Sequence, residues 1–346
     1  MRILITGHNG YIGSVLTPII CSAGHEVIGL DSFFYEDCTL GNYRAEIPVI
    51  RKDLRDLSEQ DLQGFEAVIH LAGLSNDPLG DLDPQWTFDI NHFASVRLAR
   101  LAREAGVQRF VYASSCSMYG ASSMDDLLTE EAPLNPLTLY AVSKVRTEED
   151  VSKLADGHFS PIYMRNATAY GFSPHLRADL VLNNLVCWAF TTGKIRILSD
   201  GTPWRPIVHI ADIASACLAL LEAPRRVIHN QAFNIGVNGE NYQVRDLATI
   251  VQETVPGCVI EYAGQTGPDP RNYRVDFSKL ARMVPGFKSR WNASKGAREL
   301  YEAFKQTGLT FEEFQGRKFT RLKQLKYLLE TDQLDHTLRW KIINSN

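Results

Sequence analysis

The sequence lacks the features that are typical of nucleic-acid-binding, membrane and secreted proteins. Its 346 residues carry a formal net charge of −4, which argues against nucleic acid or an anionic membrane as the main partner. No apolar run is long enough to cross a bilayer, and "MRILITG" resembles a short strand rather than a signal peptide. We therefore expect a cytoplasmic protein that does not bind membranes.

The six cysteines lack the spacing of a metal site or a disulfide framework. None forms a CxxC or CxxH pair, so no metal is predicted, and free thiols in a reducing compartment are expected. The remaining composition is that of an ordinary globular protein, 45% hydrophobic and 22% charged. A chain of this length predicts one large domain or two interlocked ones.

Strand and helix signals alternate in the first half of the chain. Five short apolar runs are separated by helix-like segments: "RILITG", "EVIGLD", "PVIRKDL", "FEAVIHLAG" and "RFVYASS". This pattern predicts an α/β fold with a Rossmann-type doubly wound parallel sheet, in which ligands bind at the carboxyl ends of the strands. Beyond Phe159, "SPIYMRNATAYG" and "AFNIGVN" predict further strands, and a smaller α/β substrate-binding lobe is expected on the C-terminal side.

The motif "TGHNGYIG" predicts a dinucleotide site. Gly7, Gly10 and Gly13 follow the first strand and open a helix, so the backbone can approach a diphosphate and the helix N-terminus can bind it. The second strand ends at Asp31, whose carboxylate would bind the adenosine ribose and repel a 2′-phosphate. The motif therefore favours NAD over NADP. The alternative is that Asp31 only caps a turn.

The segments "YASSCSMYG" and "YAVSK" predict a catalytic group. Tyr140 and Lys144 are four residues apart, so they share one face of a helix. A tyrosine phenol has a pKa of about 10, and a neighbouring ammonium group stabilises its phenolate. Tyr140 would then act as a base, while Ser115 holds the reacting hydroxyl and Lys144 binds the nicotinamide ribose. Without this context, the same spacing is more typical of an ordinary surface helix.

Together with "HLAG" and "GTPWRPIVHIADIA", these motifs resemble those of the extended short-chain dehydrogenases/reductases, in the nucleotide-sugar epimerase/dehydratase group. The resemblance runs from Met1 to about Pro285, and it implies NAD as the cofactor and a nucleotide-diphosphate sugar as the ligand. It also implies an NAD-binding domain over residues 1–165, to which a later strand returns, and an interlocked substrate lobe over 166–286. The role of the helical extension over 287–346 stays open.

The resemblance implies two sets of site residues. The cofactor contacts are Gly7, Gly10, Tyr11, Ile12, Gly13, Asp31, Ser32, Asp53, Leu54, Leu71, Ala72, Gly73, Asn91, Ser114, Tyr140 and Lys144. The substrate contacts are Ser75, Ser115, Cys116, Thr168, Asn184, Leu185, Arg205, Asp269, Arg271 and Tyr273. Among the latter, Asn184, Leu185 and Arg205 are expected near the substrate diphosphate.

Cys116 and Ser117 decide the predicted reaction. Family 4,6-dehydratases carry an Asp-Glu pair at these positions, and 3,5-epimerases place a cysteine at the position of Ser117. Simple 4-epimerases need only Ser, Tyr and NAD, so "SSCS" favours a 4-epimerase in which Cys116 is a small buried side chain. The alternatives are a ketosugar reductase, a 4,6-dehydratase that uses Asp77, and a non-catalytic dinucleotide sensor.

Some positions depart from the usual 4-epimerase pattern. Thr168 and Ser75 stand where asparagine and lysine are usual, and Gln265–Thr266 stand where an arginine is usual. Either the contacts to the substrate phosphates differ from those of the usual 4-epimerases, or the nucleotide of the substrate is not the common uridine nucleotide. The helices in "ASVRLARLARE" and "YAVSKVRTEEDVSKLA" are apolar on more than one face, which, with the resemblance, predicts a homodimer.

Overall fold

The computed structural model describes residues 1–43, 45–75, 83–121, 127–262 and 271–341. The strands within these ranges are β1 (Arg2–Thr6), β2 (Glu26–Asp31), β3 (Val49–Arg51), β4 (Ala67–His70), β5 (Arg109–Ser115), β6 (Leu127–Leu128), β7 (Ser160–Asn166), β8 (Thr168–Tyr170), β9 (Lys194–Ile197), β10 (Trp204–His209), β11 (Gln231–Ile235), β12 (Asn241–Gln243), β13 (Val259–Tyr262) and β14 (Arg274–Val275). Seven of them form one parallel sheet in the order β3-β2-β1-β4-β5-β7-β11.

Helices cover both faces of this sheet. The helices are α1 (Gly13–Ser22), α2 (Pro84–Thr87), α3 (Ala94–Glu104), α4 (Leu139–Ser152), α5 (Val181–Thr192), α6 (Ile210–Glu222), α7 (Arg225–Ile228), α8 (Val244–Thr254), α9 (Ser278–Met283), α10 (Ala293–Thr307), α11 (Phe311–Gln315) and α12 (Arg321–Glu330). A π-helical segment, Phe88–Phe93, joins α2 to α3, and short 3₁₀ turns lie at Leu54–Asp56, Glu59–Leu62, Cys116–Tyr119 and Asn238–Glu240.

The alternation of side chains along β1 explains the two helical layers. Ile3 and Ile5 point to one face, where they join a core with Leu16 of α1 and other helical residues. Leu4 points to the opposite face and joins a core with Leu98 of α3. A strand buried on both faces needs a continuous apolar run, which is the pattern of "RILIT". The predicted doubly wound parallel sheet is confirmed.

The second half of the chain builds a smaller lobe and also completes the large sheet. Strands β12-β10-β8 form one small sheet, and β13 pairs with β9 in another. The lobe has its own core, in which Leu182 and Leu185 of α5 pack with Leu247 of α8 and Leu300 of α10. Strand β11 returns to the edge of the large sheet beside β7. The two halves are therefore interlocked by the chain itself.

The C-terminal segment packs back onto the first half of the chain. Leu325 and Leu328 of α12 share a small core with Phe34, Leu74 and Ile90. These three residues belong to loops at the carboxyl ends of β2 and β4 and to the segment before α3. Within the described residues, no helix has the length and apolar character that a membrane span requires, and no cluster of metal-ligating side chains occurs.

Candidate active site

The glycine-rich loop between β1 and α1 forms the floor of a cleft at the carboxyl edge of the sheet. Gly7 has a φ of +73°, and a Cβ atom there would lie 2.7 Å from the backbone nitrogen of Ala72. A Cβ at Gly13 would collide with the carbonyl oxygen of Gly7. Only glycine allows this loop to fold tightly against the end of β4, so that the N-terminus of α1 opens into the cleft.

Most of the predicted cofactor residues line this cleft. Those on its walls are Gly7, Gly10, Tyr11, Ile12, Gly13, Asp31, Ser32, Asp53, Leu54, Leu71, Ala72 and Gly73, together with Ser75 from the predicted substrate set. The prediction missed Leu30, Phe34, Tyr35, Lys52, Leu74, Ile90, Ala169, Arg177 and Arg321, which also line it. The other four predicted cofactor residues, Asn91, Ser114, Tyr140 and Lys144, are not among the residues that line it.

Asp31 is held by the backbone at the end of β2. Its carboxylate accepts hydrogen bonds from the N–H groups of Asn9, at 3.1 Å, and Phe33, at 2.8 Å. Burial nevertheless raises the pKa of Asp31, and burial lowers the pKa of the neighbouring His8. A fixed carboxylate at this place would accept hydrogen bonds from a ribose, which is the role that the sequence predicts for it.

Asp53 is already occupied by side chains of the protein. Its carboxylate accepts three hydrogen bonds from Arg55, and Arg339 lies 3.8 Å away. Burial raises the pKa of Asp53, but the contacts with Arg55 outweigh this effect and the pKa is lowered. Asp53 is therefore an anion that fixes the wall of the cleft.

Asn91 supports the cleft wall from behind. Its Oδ1 accepts a hydrogen bond from the backbone N–H of Leu74 at 2.7 Å, and its Nδ2 donates to the carbonyl of Leu74 at 2.9 Å. The amide thus pairs with both backbone groups of one residue in the loop after β4. The side chain lies in the π-helical segment before α3, where the local bulge turns it toward that loop.

The predicted catalytic helix is α4, which Thr138 caps by accepting a hydrogen bond from Ala141 N at 3.2 Å. Lys144 donates from Nζ to the carbonyl of Ala113 in β5 at 2.6 Å. Its ammonium group also lies 4.5 Å from the ring centre of Tyr112 and 5.6 Å from that of Tyr140. Burial lowers the pKa of Lys144 to about 7, although Glu148 opposes the shift. A proton on Lys144 is therefore easily exchanged near neutral pH.

Ser115 ends β5 and caps the following 3₁₀ turn. Its Oγ accepts a hydrogen bond from the backbone N–H of Ser117 at 3.1 Å. A serine Oγ can accept one bond and still donate its own proton, so this contact leaves the hydroxyl available to a substrate oxygen. Its neighbour Ser114 is buried, and the Ser114 Oγ has no hydrogen-bond partner among the described residues.

Cys116 does not face the cleft, and its place among the predicted substrate contacts requires correction. The side chain is fully buried in the core, and Sγ donates to the carbonyl of Arg165 at 3.1 Å. Burial raises the pKa of the thiol well above its ordinary value. A protonated thiol without access to the cleft is neither a nucleophile nor a base, in agreement with the interpretation of Cys116 as a small packed side chain.

A buried ion pair ties α4 to the serine segment. Glu148 of α4 accepts hydrogen bonds from Nε and Nη2 of Arg165, the shortest at 2.7 Å. Nη1 of Arg165 donates to the hydroxyl of Tyr119 at 3.2 Å and to the carbonyl of Glu130 at 3.0 Å. This network connects the helix that carries Tyr140 with the turn that follows Ser115.

The predicted substrate residues do not all gather at one place. The side chain of Leu185 is buried in the core of the small lobe, so a contact of this residue with the substrate diphosphate, which stays a prediction, would be made by its backbone. Asn184 donates from Nδ2 to the carbonyl of Ala178 at 2.8 Å. Arg205 lies in β10 and donates hydrogen bonds to the carbonyls of Trp204 and Arg271.

The remaining members of that set have these positions. Thr168 is half-buried in β8, and Tyr273 is buried in the core between the lobes. Arg271 begins the segment that leads to β14. Asp269, and the alternative base Asp77, lie outside the described residues.

Arg177 links the cleft with the smaller lobe, and no sequence pattern pointed to it. Nη1 donates to Oγ of Ser75 at 3.1 Å, and Nη2 pairs with Asp179 at 2.8 Å. The neighbouring Asn183 donates to the hydroxyl of Tyr11, which in turn donates to the carbonyl of Gly171. These contacts attach the start of α5 to the N-terminus of α1.

The residues of the cleft fit NAD. The glycine cradle that any Cβ would fill, the open N-terminus of α1 and the fixed carboxylate of Asp31 match a diphosphate followed by a ribose. Lys144 and Ser115 lie on the same edge of the sheet, where the nicotinamide half would meet them. The chemistry of this donor set is that of a dinucleotide site rather than of a metal centre.

Comparisons with known proteins agree with this fit. A family model described as the NAD dependent epimerase/dehydratase family matches residues 3–236, which is more than half of the chain. The UDP-glucose 4-epimerase of Mycolicibacterium smegmatis is 29% identical over 326 residues, a match that covers 88% of this chain and 99% of that enzyme.

Two solved structures share the architecture. TunA, described as an NAD-dependent NDP-hexosamine 5,6-dehydratase, has a TM-score of 0.77 and 26% identity, and the match covers 88% of this chain and 98% of TunA. MoeE5, solved with UDP-glucuronic acid and NAD, also has a TM-score of 0.77 and 26% identity, over 89% of this chain and 100% of MoeE5. The resemblance seen in the sequence is confirmed: the chain belongs to the NAD-dependent epimerase/dehydratase family.

Proposed function

We propose that the protein epimerises a nucleotide-diphosphate sugar at C4 through a transient 4-keto sugar. The observation that carries this proposal is the pair Cys116 and Ser117, which stands where family 4,6-dehydratases carry Asp and Glu. A dehydratase needs an acid and a base beside C5 and C6 of the sugar, and Cys116 with Ser117 supplies neither.

The chain's own residues have three tasks in this mechanism. NAD, when bound, supplies a hydride acceptor that later returns the same hydride to the sugar. Tyr140 removes the proton from the C4 hydroxyl and gives it back, Ser115 holds that oxygen, and Lys144 stabilises the phenolate. The cleft walls orient the sugar, which contributes several kcal/mol to catalysis.

The relatives support a nucleotide-diphosphate sugar as the substrate. The similar enzyme of Mycolicibacterium smegmatis is a UDP-glucose 4-epimerase, and MoeE5 was solved with UDP-glucuronic acid and NAD. In this chain, Arg177 and Arg205 are the arginines that we propose for contacts with the substrate diphosphate. Arg177 donates a hydrogen bond to Ser75 Oγ, and Arg205 lies on β10. The departures at Ser75 and Thr168 leave the identity of the nucleotide and the sugar to experiment.

The reaction class can be tested by product mass (first prediction). Incubation with a panel of nucleotide hexoses and heptoses, without added NADH, should give a product of unchanged mass that chromatography separates from the substrate. A dehydratase product would be lighter by one water, whereas a ketosugar reductase would convert substrate only after NADH is added and would then give a product heavier by two hydrogens. In heavy water the sugar carbons should stay unlabelled, because a 4-epimerase does not exchange carbon-bound hydrogen with solvent.

The outcomes of this experiment are distinct. Loss of water, or deuterium at a sugar carbon, would overturn the 4-epimerase proposal and return attention to Asp77. The matched control is the Tyr140→Phe variant, which should give no product with any sugar of the panel. A wild-type protein that binds NAD and converts no sugar would instead support the dinucleotide-sensor alternative.

We also propose a homodimer formed by α3 and α4 (second prediction). Phe93, just before α3, is 56% exposed, and Leu137, just before α4, is 43% exposed. Light scattering at micromolar concentration should therefore give about twice the 38.8 kDa of one chain. Phe93→Glu should shift the protein to a monomer, whereas Val259→Glu, at an equally exposed apolar residue of β13, should stay dimeric. A monomeric wild type would contradict the proposal.

A cytoplasmic location and the predicted domain roles belong to the same proposal. All six cysteines are free thiols, five of them buried, which suits a reducing compartment. Residues 1–165 with β11 would bind the cofactor, and residues 166–286 would bind the sugar nucleotide. Fractionation of cells that produce the protein would test the location.

A further inference from the structure

The last long helix brings a buried arginine into the cofactor cleft. Arg321 is the first residue of α12, is only 4% exposed and lines the cleft together with Asp31 and Tyr35. Its Nη2 donates to the carbonyl of His175 at 3.2 Å, and its guanidinium lies 4.1 Å from the ring centre of Tyr35. Its Nη1 is buried and has no hydrogen-bond partner among the described residues.

Arg321 also lacks a carboxylate partner within the described part of the chain. Arg177, the other guanidinium of the cleft, pairs with Asp179 at 2.8 Å, whereas Arg321 forms no ion pair. The nearby Asp31 already accepts two backbone hydrogen bonds. A buried cation without a counter-charge is destabilising, and burial lowers the pKa of this guanidinium accordingly.

The position of Arg321 on its own helix is also unfavourable. The N-terminus of a helix carries a partial positive charge, so a cation in the first turn opposes the helix dipole. The hydrogen bond to His175 and the contact with the Tyr35 ring hold the side chain, but among the described residues they supply neither a counter-charge nor an acceptor for Nη1, and so they do not by themselves account for an arginine at this position. An anion in the cleft does account for it, because it would supply both the missing counter-charge and an acceptor for Nη1.

The contacts of Arg321 lead to the glycine-rich loop. His175, whose carbonyl accepts from Arg321, has its Nε2 3.1 Å from Oδ1 of Asn9. Asn9 lies between Gly7 and Gly10, in the loop that would hold a diphosphate at the N-terminus of α1. We propose that Arg321 is a cofactor-binding residue, whose Nη1 donates to a diphosphate oxygen of NAD. A guanidinium suits this role because it offers several N–H donors to phosphate oxygens.

The segment that follows Arg321 completes the wall of the cleft. Trp340 donates from Nε1 to the carbonyl of Ser32 at 2.6 Å, and Gln324 donates to the carbonyl of Phe34 at 3.0 Å. Phe34 lines the cleft and packs against Leu328 of α12. The C-terminal extension therefore builds part of the cleft wall, and release of NAD would break its contact with Arg321. Exchange of the bound cofactor should accordingly be slow.

Cofactor exchange tests this assignment directly. The protein with bound NAD is mixed with an excess of isotopically labelled NAD, and the bound fraction is followed by mass spectrometry after desalting. Arg321→Met should exchange about 10–100-fold faster, which corresponds to the loss of a hydrogen bond to a charged group. The control is Lys326→Met, which removes the same charge from an exposed position of the same helix and should stay within about twofold of the wild type. A wild-type exchange rate in Arg321→Met would overturn the proposal.

Thermal unfolding separates binding from a structural role. After refolding without NAD, Arg321→Met should be at least as stable as the wild type, because an unpaired buried charge has been removed. The rise in unfolding temperature on adding NAD should be smaller in the variant. A variant that loses the same stability with and without NAD would show that Arg321 only packs, and the proposal would be wrong.

NADP distinguishes the diphosphate from a 2′-phosphate as the bound anion. If Arg321 binds the diphosphate, the variant weakens both cofactors by a similar factor in competition with labelled NAD. If it binds a 2′-phosphate, only NADP is weakened and the proposal is overturned. None of these measurements depends on turnover, so failure of the 4-epimerase proposal would leave them interpretable.

Discussion

Replacing Tyr140 by phenylalanine should lower kcat by about 10²–10⁴-fold, which is the usual contribution of a general base (third prediction). The ring stays in place and only the phenol oxygen is lost, so the fold and the bound NAD should be retained. Turnover of the sugar nucleotide that the wild type converts gives the rate. Mass spectrometry of the denatured protein gives the NAD content.

The control for this variant is the same substitution, tyrosine to phenylalanine, at a position outside the site. Tyr262 is 55% exposed on β13, far along the chain from α4, and Tyr262→Phe should leave both kcat and NAD content unchanged. Activity of Tyr140→Phe within a few-fold of the wild type would remove Tyr140 from the mechanism. Loss of NAD from the variant would instead assign Tyr140 to cofactor binding.

The edge of the sheet that carries the site could be predicted because parallel strands are buried on both faces. Such strands appear as continuous apolar runs, so the first polar residue after each run marks its carboxyl end. "EVIGLD" ends at Asp31 as β2 does, and "RFVYASS" ends at Ser115 as β5 does. The glycine motif and the Tyr140–Lys144 spacing are local patterns as well, so they could be found without tertiary information.

The two arginines of the cleft have no such local pattern. Arg177 lies in a loop, and Arg321 lies in a helix whose basic and apolar residues predict only a packing helix. Both reach the cleft through contacts with residues more than 100 positions away, such as Arg177 with Ser75 and Arg321 with His175. Sequence patterns of a few residues carry no information about such contacts.

The burial of the Cys116 and Leu185 side chains has a related cause. Both lie beside residues that the site uses, and side chains of adjacent residues point in different directions. Cys116 follows Ser115 but turns into the core, where Arg165 is its partner. The direction of a side chain next to a predicted contact depends on the local turn, here the 3₁₀ turn Cys116–Tyr119.

The buried pair of Arg165 and Glu148 should be the most sensitive polar contact for stability (fourth prediction). Their side chains are 9% and 8% exposed, and the shortest N–O distance is 2.7 Å. Arg165→Met would leave the Glu148 carboxylate buried and without its partner, which should lower the free energy of unfolding by about 3–5 kcal/mol. Urea-induced unfolding followed by circular dichroism measures this change.

Two further variants decide whether the pairing itself causes the loss. Lys194→Met breaks an exposed pair with Glu261 between β9 and β13, and should cost about 1 kcal/mol or less. The double variant Arg165→Met, Glu148→Leu leaves no buried charge and should recover much of the stability lost in the single variant. Glu148 lies one turn after Lys144 on α4, and the double variant lacks it. This variant should therefore still bind NAD but convert the sugar nucleotide more slowly than the wild type. A single variant as stable as the wild type would contradict this account of how α4 is held against β7.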